Sequence, residues 1–155
     1  MSRLRELVVA LPEEDLREFV LAQRWYGSKS EEVASVRAVD AFPLREEGDP
    51  LVAVAVVEVR FQSGTHDLYN VPVGLRRGAG GFASVDGLAA FDALEDEQLV
   101  LDLAELIAAE ATLEREGGSL QFGAVDGVVA AGPVRAMGTE PVSYTHLTLP
   151  TILRV

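Results

Sequence analysis

The chain has 155 residues, of which 48% are hydrophobic and 25% charged, a composition typical of a folded globular protein. Its formal net charge of −12 argues against binding to nucleic acid or to an anionic membrane. The lack of cysteine excludes disulfides and thiolate metal sites but indicates no compartment, and no apolar run could cross a bilayer; a cytoplasmic location is the default expectation.

Two short amphipathic helices are predicted at the start of the chain. The first covers residues 3–10, and Pro12 suits the first position of the second because its ring fixes a helical φ. Acidic residues after Pro12 oppose the positive end of the helix dipole. The predicted buried faces consist of Leu4, Leu7, Val8 and Leu11 in the first helix and Leu16, Phe19 and Val20 in the second.

Residues 23–29 contain the only tryptophan and the only lysine of the chain, Trp25 and Lys29. An aromatic pair followed by glycine is typical of a helix end that turns onto the core, with the glycine in the left-handed conformation. We therefore predict that Trp25 and Tyr26 are buried and that Gly27 ends the second helix.

Four strands are predicted next, and the short turns between the first three make their pairing antiparallel. The turn at residues 63–65, Ser-Gly-Thr, is typical of a hairpin. Pro72 indicates that the third strand lies at a sheet edge or carries a bulge. The pattern predicts an α+β fold, an antiparallel sheet packed against the N-terminal helices. The strands are predicted at residues 33–44, 51–62, 66–75 and 82–85.

A longer helix is predicted over residues 95–114, begun by Asp92 and Glu95 at capping-box spacing and ended by Gly117 and Gly118. Further strands are predicted over 120–125 and 128–137. The apolar stripe of the helix is Leu99, Leu103, Leu106, Ile107 and Leu113, and its solvated acidic face is Glu97, Asp102, Glu105 and Glu110.

No catalytic constellation and no metal site is predicted in residues 1–140. His66 and Asp67 are neighbours on a predicted strand and so point to opposite faces, which prevents them from forming part of a triad together. The glycine-rich residues 76–81 lack both the Gly-Lys-Ser/Thr ending and the strand–loop–helix context of a phosphate loop.

Three stretches resemble bacterial maltokinases, enzymes with an N-terminal cap domain before a kinase fold of the aminoglycoside-phosphotransferase type. Residues 24–29 resemble the Arg-Trp-(Tyr/Phe)-Gly-(Gly/Ser)-Lys signature of that cap. Residues 69–76 resemble its Tyr-x-(Val/Leu)-Pro-(Leu/Val) strand, and residues 135–140 resemble the loop at which the ATP-binding lobe begins. The resemblance implies a cap domain over residues 1–90, followed over 91–140 by a connecting helix and the first strands of a kinase-like N-lobe.

The last residues differ in composition from the rest of the chain. Half of the six threonines fall after Val142, and no acidic residue follows Glu140. Residues 142–147 back-translate to the transposase end sequence that is used to tag sequencing libraries. We therefore expect residues 141–155 to be translated adapter and the native chain to be a truncated fragment.

The resemblance implies that the parent enzyme transfers phosphate from ATP, with Mg²⁺, to maltose, giving maltose 1-phosphate for the synthesis of glycogen or α-glucan from trehalose. The fragment would lack the catalytic residues and would be inactive. Two groups of site residues are carried over by the resemblance: the cap motif Arg24, Trp25, Tyr26, Gly27 and Lys29, and the nucleotide-adjacent Gly138, Thr139 and Glu140.

We hypothesise that the cap motif fixes the cap helix against the sheet and that Lys29 faces the kinase lobe. The implied partners are the missing kinase C-lobe, the sugar and a trehalose synthase, without nucleic acid or membrane. Two alternatives remain open: the cap of a glucosamine kinase or other sugar kinase, and a stand-alone, non-enzymatic α+β interaction module.

Overall fold

The computed structural model describes residues 3–23, 25–27, 30–115, 118–123 and 146–148. The helices are α1 (Arg3–Val9), α2 (Glu13–Leu21) and α3 (Glu97–Ala108), and a 3₁₀ turn, Ala93–Glu95, precedes α3. The strands are β1 (Val33–Arg45), β2 (Leu51–Phe61), β3 (His66–Arg77), β4 (Ala83–Val85), β5 (Leu88–Asp92), β6 (Thr112–Arg115), β7 (Gly118–Gly123) and β8 (His146–Thr148). None of the described helices is long and apolar enough to span a membrane.

The first five strands form one antiparallel sheet in the order β1-β2-β3-β5-β4. This confirms the predicted α+β fold, with α1 and α2 packed on the sheet. The hairpin predicted between β2 and β3 is also confirmed, and Gly64 takes a φ of 93° in its turn. That left-handed conformation is the reason for glycine at this position.

Both faces of β2 are covered, because its side chains alternate between two hydrophobic clusters. Ala53, Ala55, Val57 and Val59 pack on one face with the apolar residues of α1 and α2. Val54 and Val56 pack on the other face with residues of α3 and β7. The near-continuous apolar run of β2 is typical of a strand buried on both sides.

The prediction that Pro72 places its strand at the sheet edge is wrong for the strand as a whole, since β3 lies between β2 and β5. Proline is tolerated because β5 pairs only with the second half of β3, beginning at Val73 opposite Asp92. Among the described strands, β3 therefore has a neighbour on only one side at Pro72. No register shift interrupts the β2–β3 ladder there, so the alternative prediction of a bulge is also wrong.

Strand β5 was not predicted, although the sequence carries a signal for it. Asp86 and Gly87 both have positive φ, 48° and 78°, and join β4 to β5 as a two-residue hairpin. Asp-Gly between short apolar runs is a strong hairpin signal. The predicted fourth strand is confirmed as β4.

The long helix predicted over residues 95–114 is wrong at both ends. Asp92 caps the 3₁₀ turn through the N–H of Leu94, and Asp96 caps α3 through the N–H of Leu99, at 2.9 and 3.1 Å. Helix α3 ends at Ala108, and Glu110 has a φ of 49°, which no helix accommodates. Tertiary packing overrides local propensity here, because the chain must turn back to form a second hairpin.

That hairpin consists of β6 and β7, so Leu113 lies on a strand and Gly118 begins the next strand instead of ending a helix. The other members of the predicted stripe are confirmed: Leu99, Leu103 and Ile107 are buried and Leu106 is half-buried.

The strand predicted over 128–137 lies outside the described residues. Strand β8 pairs with β7 in parallel. Any sequence can form backbone hydrogen bonds, so this pairing does not test the interpretation of residues 141–155 as translated adapter.

Gly74 has no side chain, and this leaves room for the aromatic ring of Phe91 to lie over the neighbouring strand. It lies directly opposite Phe91 in the β3–β5 ladder, and a Cβ built at Gly74 would overlap the Phe91 ring. The guanidinium of Arg76 lies 4.6 Å from the centre of the same ring. Phe91 is buried and packs with Val52 and Leu99, so it joins the sheet to α3.

We expect Gly74→Ala to lower the free energy of unfolding by about 1–3 kcal/mol, because the ring or the backbone must move. Gly27→Ala is the matched control, since a Cβ there meets no atom within 4 Å and its φ is not left-handed. Urea unfolding of the two variants measures the difference. An equal effect of both substitutions would contradict the packing role of Gly74.

Asp92 joins β5 to the 3₁₀ turn in a partly buried position. Burial raises the pKa of Asp92 to about 6, the hydrogen bond from the Leu94 N–H opposes this, and the charge of Glu95 adds to it. A carboxyl with a raised pKa holds its proton in the folded state after the unfolded chain has lost it. Folding is therefore weakened as the pH rises from about 4 to about 6.

Asp92→Asn keeps an oxygen acceptor for Leu94 and removes the titration. We expect wild type to lose about 2 kcal/mol relative to this variant between pH 4 and pH 6.5. Glu58→Gln provides a contrast of opposite sign. Burial raises the pKa of Glu58, but the hydrogen bond and charge of Arg60 and the charge of Arg37 outweigh it, so the pKa is lowered. The stability that the ionised Glu58 contributes to the folded state is therefore lost as the pH falls. Parallel stability–pH curves for wild type and Asp92→Asn would contradict the raised pKa of Asp92.

Candidate functional site

The described part of the cap motif is Trp25, Tyr26 and Gly27, in the connection between α2 and β1. Arg24 and Lys29 lie outside the described residues, as does the predicted exposure of Lys29. The connection is a turn in which the N–H of Tyr26 donates to the carbonyl of Gln23 at 3.3 Å. This turn carries the two aromatic rings back onto the sheet.

The prediction that Gly27 ends the second helix in a left-handed conformation is wrong. Helix α2 ends at Leu21, and its C-cap residue, Ala22, is right-handed with a φ of −83°. The N–H groups of Ala22 and Gln23 donate to the carbonyls of Glu18 and Val20, which satisfies the last turn without glycine. Gly27 is exposed and not left-handed.

Trp25 and Tyr26 meet Tyr69 of β3, and we call these three residues the aromatic cluster. The ring centres of Trp25 and Tyr26 lie 5.3 and 5.8 Å from that of Tyr69, with interplanar angles of 45° and 46°. Tilted pairs at such distances add about 0.5–1.5 kcal/mol each beyond area burial. Tyr26 and Tyr69 are 2% and 0% exposed, whereas Trp25 is only half-buried. The predicted burial is thus confirmed for Tyr26 and partial for Trp25.

The alternation of β3 positions Tyr69 for this contact. Val71 and Val73, two and four residues further along the strand, lie in the same hydrophobic cluster as Tyr69, Tyr26 and the apolar residues of α1 and α2. The sequence pattern alone could show that these β3 residues share a face. It could not show that residues 25 and 26 cover that face.

The pKa of the buried Tyr26 phenol is raised, so the phenol stays protonated near neutral pH. Burial raises the pKa of Tyr26, the charges of Tyr69, Asp67 and Glu31 add to this, and Arg17 opposes it. The buried hydroxyl oxygen of Tyr26 has no hydrogen-bond partner among the described residues. The phenol therefore remains neutral and acts through its packing.

A second aromatic contact lies beside the cluster and was not predicted. Phe19 of α2 stacks on Phe82, which precedes β4, with ring centres 4.1 Å apart and planes 13° from parallel. Both rings pack against the same hydrophobic core as the aromatic cluster. This contact links α2 to the segment that leads into β4, and no local sequence pattern links residues so far apart.

The remaining candidates for chemistry are His66, Asp67 and the glycine-rich loop. His66 is exposed at the start of β3, where it pairs with Arg60, and Asp67 pairs with Val59. The glycine-rich loop leads from β3 into β4, a strand, so the context of a phosphate loop is absent there. The described residues contain no cluster of three or more metal-ligating side chains. Gly138, Thr139 and Glu140 lie outside them.

A family model described as the maltokinase N-terminal cap domain matches residues 19–96, just over half of the chain. The chain belongs to the maltokinase N-terminal cap domain family. The match begins within α2, contains the aromatic cluster and all five strands of the large sheet, and ends at Asp96, the N-cap of α3. The maltokinase-like N-terminal region that the cap motif predicted is therefore confirmed.

The buried member of the motif should matter most for stability of this cap domain. We expect Tyr26→Ala to cost about 3–5 kcal/mol, as for other buried aromatic residues, and half-buried Trp25→Ala to cost less. Tyr26→Phe should be neutral or slightly stabilising, because it removes a buried hydroxyl without a described partner. Chemical denaturation of the three variants tests this order.

A Trp25→Ala variant more damaged than Tyr26→Ala would contradict the packing described for the aromatic cluster. A large loss in Tyr26→Phe would show that the hydroxyl is hydrogen-bonded after all. In either case the cap motif would stabilise the domain through another contact.

Proposed function

We propose that this chain is the cap domain and the start of the N-lobe of an ATP-dependent sugar kinase. The parent enzyme would phosphorylate maltose to maltose 1-phosphate, for synthesis of glycogen or α-glucan from trehalose. The observation that carries the proposal is the match to the maltokinase N-terminal cap domain over residues 19–96. The packing of the motif residues Trp25 and Tyr26 in the core of the matched segment supports it.

In this proposal the cap domain has a structural role, and the kinase domain of the parent enzyme performs the chemistry. Phosphoryl transfer needs groups that position Mg²⁺ and the γ-phosphate. The described residues do not fit that task, because their carboxylates form no metal-binding cluster and their glycine-rich loop precedes a strand. ATP and Mg²⁺ would bind to the parent enzyme downstream, with Gly138, Thr139 and Glu140 at the near edge of the nucleotide site.

The family match does not choose the sugar, and the two motif residues whose packing is described, Trp25 and Tyr26, pack into the core instead of lining an open sugar site. A glucosamine kinase or another sugar kinase with the same cap fits the described residues equally well. The kinase C-lobe and a trehalose synthase are the protein partners that the proposal implies.

The proposal predicts two results. The 155-residue chain should not transfer phosphate from Mg·ATP to maltose, glucosamine or glucose in a coupled ADP-release assay. Sequencing the source DNA across codon 140 from an untagged template should reveal a reading frame that continues into a kinase, and the product of that longer frame should phosphorylate maltose.

Three outcomes would count against the proposal. A native stop codon or an unrelated domain after codon 140 would make the chain a stand-alone interaction module. A longer frame that encodes a kinase but phosphorylates glucosamine and not maltose would reject the sugar and keep the reaction class. Phosphate transfer by the 155-residue chain itself would contradict the proposal that the cap domain is structural and the kinase domain is catalytic.

A further inference from the structure

A groove of about 470 Å³ lies between α3 and the neighbouring ends of β1, β2 and β6. Its floor is apolar and includes Leu44, Val52, Leu106 and Leu113. Leu44, Leu106 and Leu113 are half-buried, so each exposes part of an aliphatic side chain to the groove. We call this feature the α3 groove.

One wall of the α3 groove is tied to the other by an ion pair. The guanidinium of Arg45 at the end of β1 lies 3.3 Å from the carboxylate of Asp102 on α3, and Gln98 also donates to Asp102. Both charged side chains are 42% exposed. Arg45 is thereby paired, whereas the carboxylate of Glu105, also on the rim, has no ion pair among the described residues.

The rest of the described surface has the same bias. Arg3, Arg5, Arg37 and Arg60 are each within ion-pair distance of a carboxylate. Acidic residues outnumber basic ones by 25 to 13 in the whole chain, so many carboxylates have no basic partner. A ligand that approaches the α3 groove meets a negative field, which favours cationic partners.

The charge and shape of the groove select among possible occupants. A second copy of this chain would bring another net charge of −12, and an anionic lipid surface would be repelled in the same way. An apolar floor beside a helix, with a carboxylate on its rim, fits the helix-in-groove mode of recognition.

We propose that the α3 groove docks an amphipathic helical segment of a partner protein, with leucine-like side chains on the floor and a lysine or arginine facing Glu105. This interaction surface adjoins the segment that follows the matched cap residues, and it does not depend on which sugar the parent enzyme phosphorylates. The Arg45–Asp102 pair links β1 to α3 at the rim of this surface.

The test uses the 155-residue chain and two labelled 16-residue helical peptides with the same leucine stripe. One peptide carries lysines on its polar side and the other carries glutamates at the same positions. Fluorescence anisotropy should show the basic peptide binding at least about tenfold more tightly, with a methyl-NMR shift of Leu106 and Leu113. Glu105→Lys should weaken binding of the basic peptide about three- to tenfold.

Glu18→Lys is the matched control. Glu18 is an exposed glutamate three residues before the end of α2, just as Glu105 lies three residues before the end of α3, so the two variants have the same net charge. Equal weakening by both variants would mean that binding follows net charge, and the groove proposal would fall. Equal binding of the two peptides, or a self-association of the chain that shifts the same leucine methyls, would overturn it as well.

Discussion

The structure depends on the burial of β2 on both faces. Its alternate residues belong to two separate hydrophobic clusters, one closed by α1, α2 and the cap motif, the other by α3 and β7. A strand buried in this way loses water from every apolar side chain, which contributes roughly 1.5–3 kcal/mol for each fully buried valine-sized group. Loss of either layer would expose one row of these residues, so the two layers stabilise the same sheet from opposite sides.

This arrangement gives the cap motif a physical role. Trp25 and Tyr26 lie in a connection between a helix and an edge strand, and they are held there by Tyr69 from the interior strand β3. The motif thus links the α2–β1 connection to β3, a strand that lies much further along the chain. A short signature that is shared within a cap family can therefore reflect packing instead of catalysis, and the neutral, buried phenol of Tyr26 is consistent with that role.

The layer formed by α3 and β7 affects where the boundary of the cap domain is drawn. The family match stops at Asp96, yet the helix that Asp96 caps buries Leu103 and Ile107 against the even-numbered face of β2. Phe91, folded over Gly74, joins the same contact region. The sheet of the cap and the first elements of the next segment thus share a core. Separation of α3 from the sheet at residue 96 would expose apolar residues on both sides.

Local pattern in the sequence determined α1, α2, the β2–β3 hairpin, β4 and the antiparallel α+β class, because periodicity and turn residues act over a few positions. It also identified the cap family through residues 24–29. Tertiary structure alone decided the rest. Pro72 lies in an interior strand because β5 ends before reaching it, and α3 stops at Ala108 because the chain must return to pair β6 with β7. The meeting of Tyr26 with Tyr69, and of Phe19 with Phe82, depends on how the sheet brings distant residues together, which no local propensity encodes.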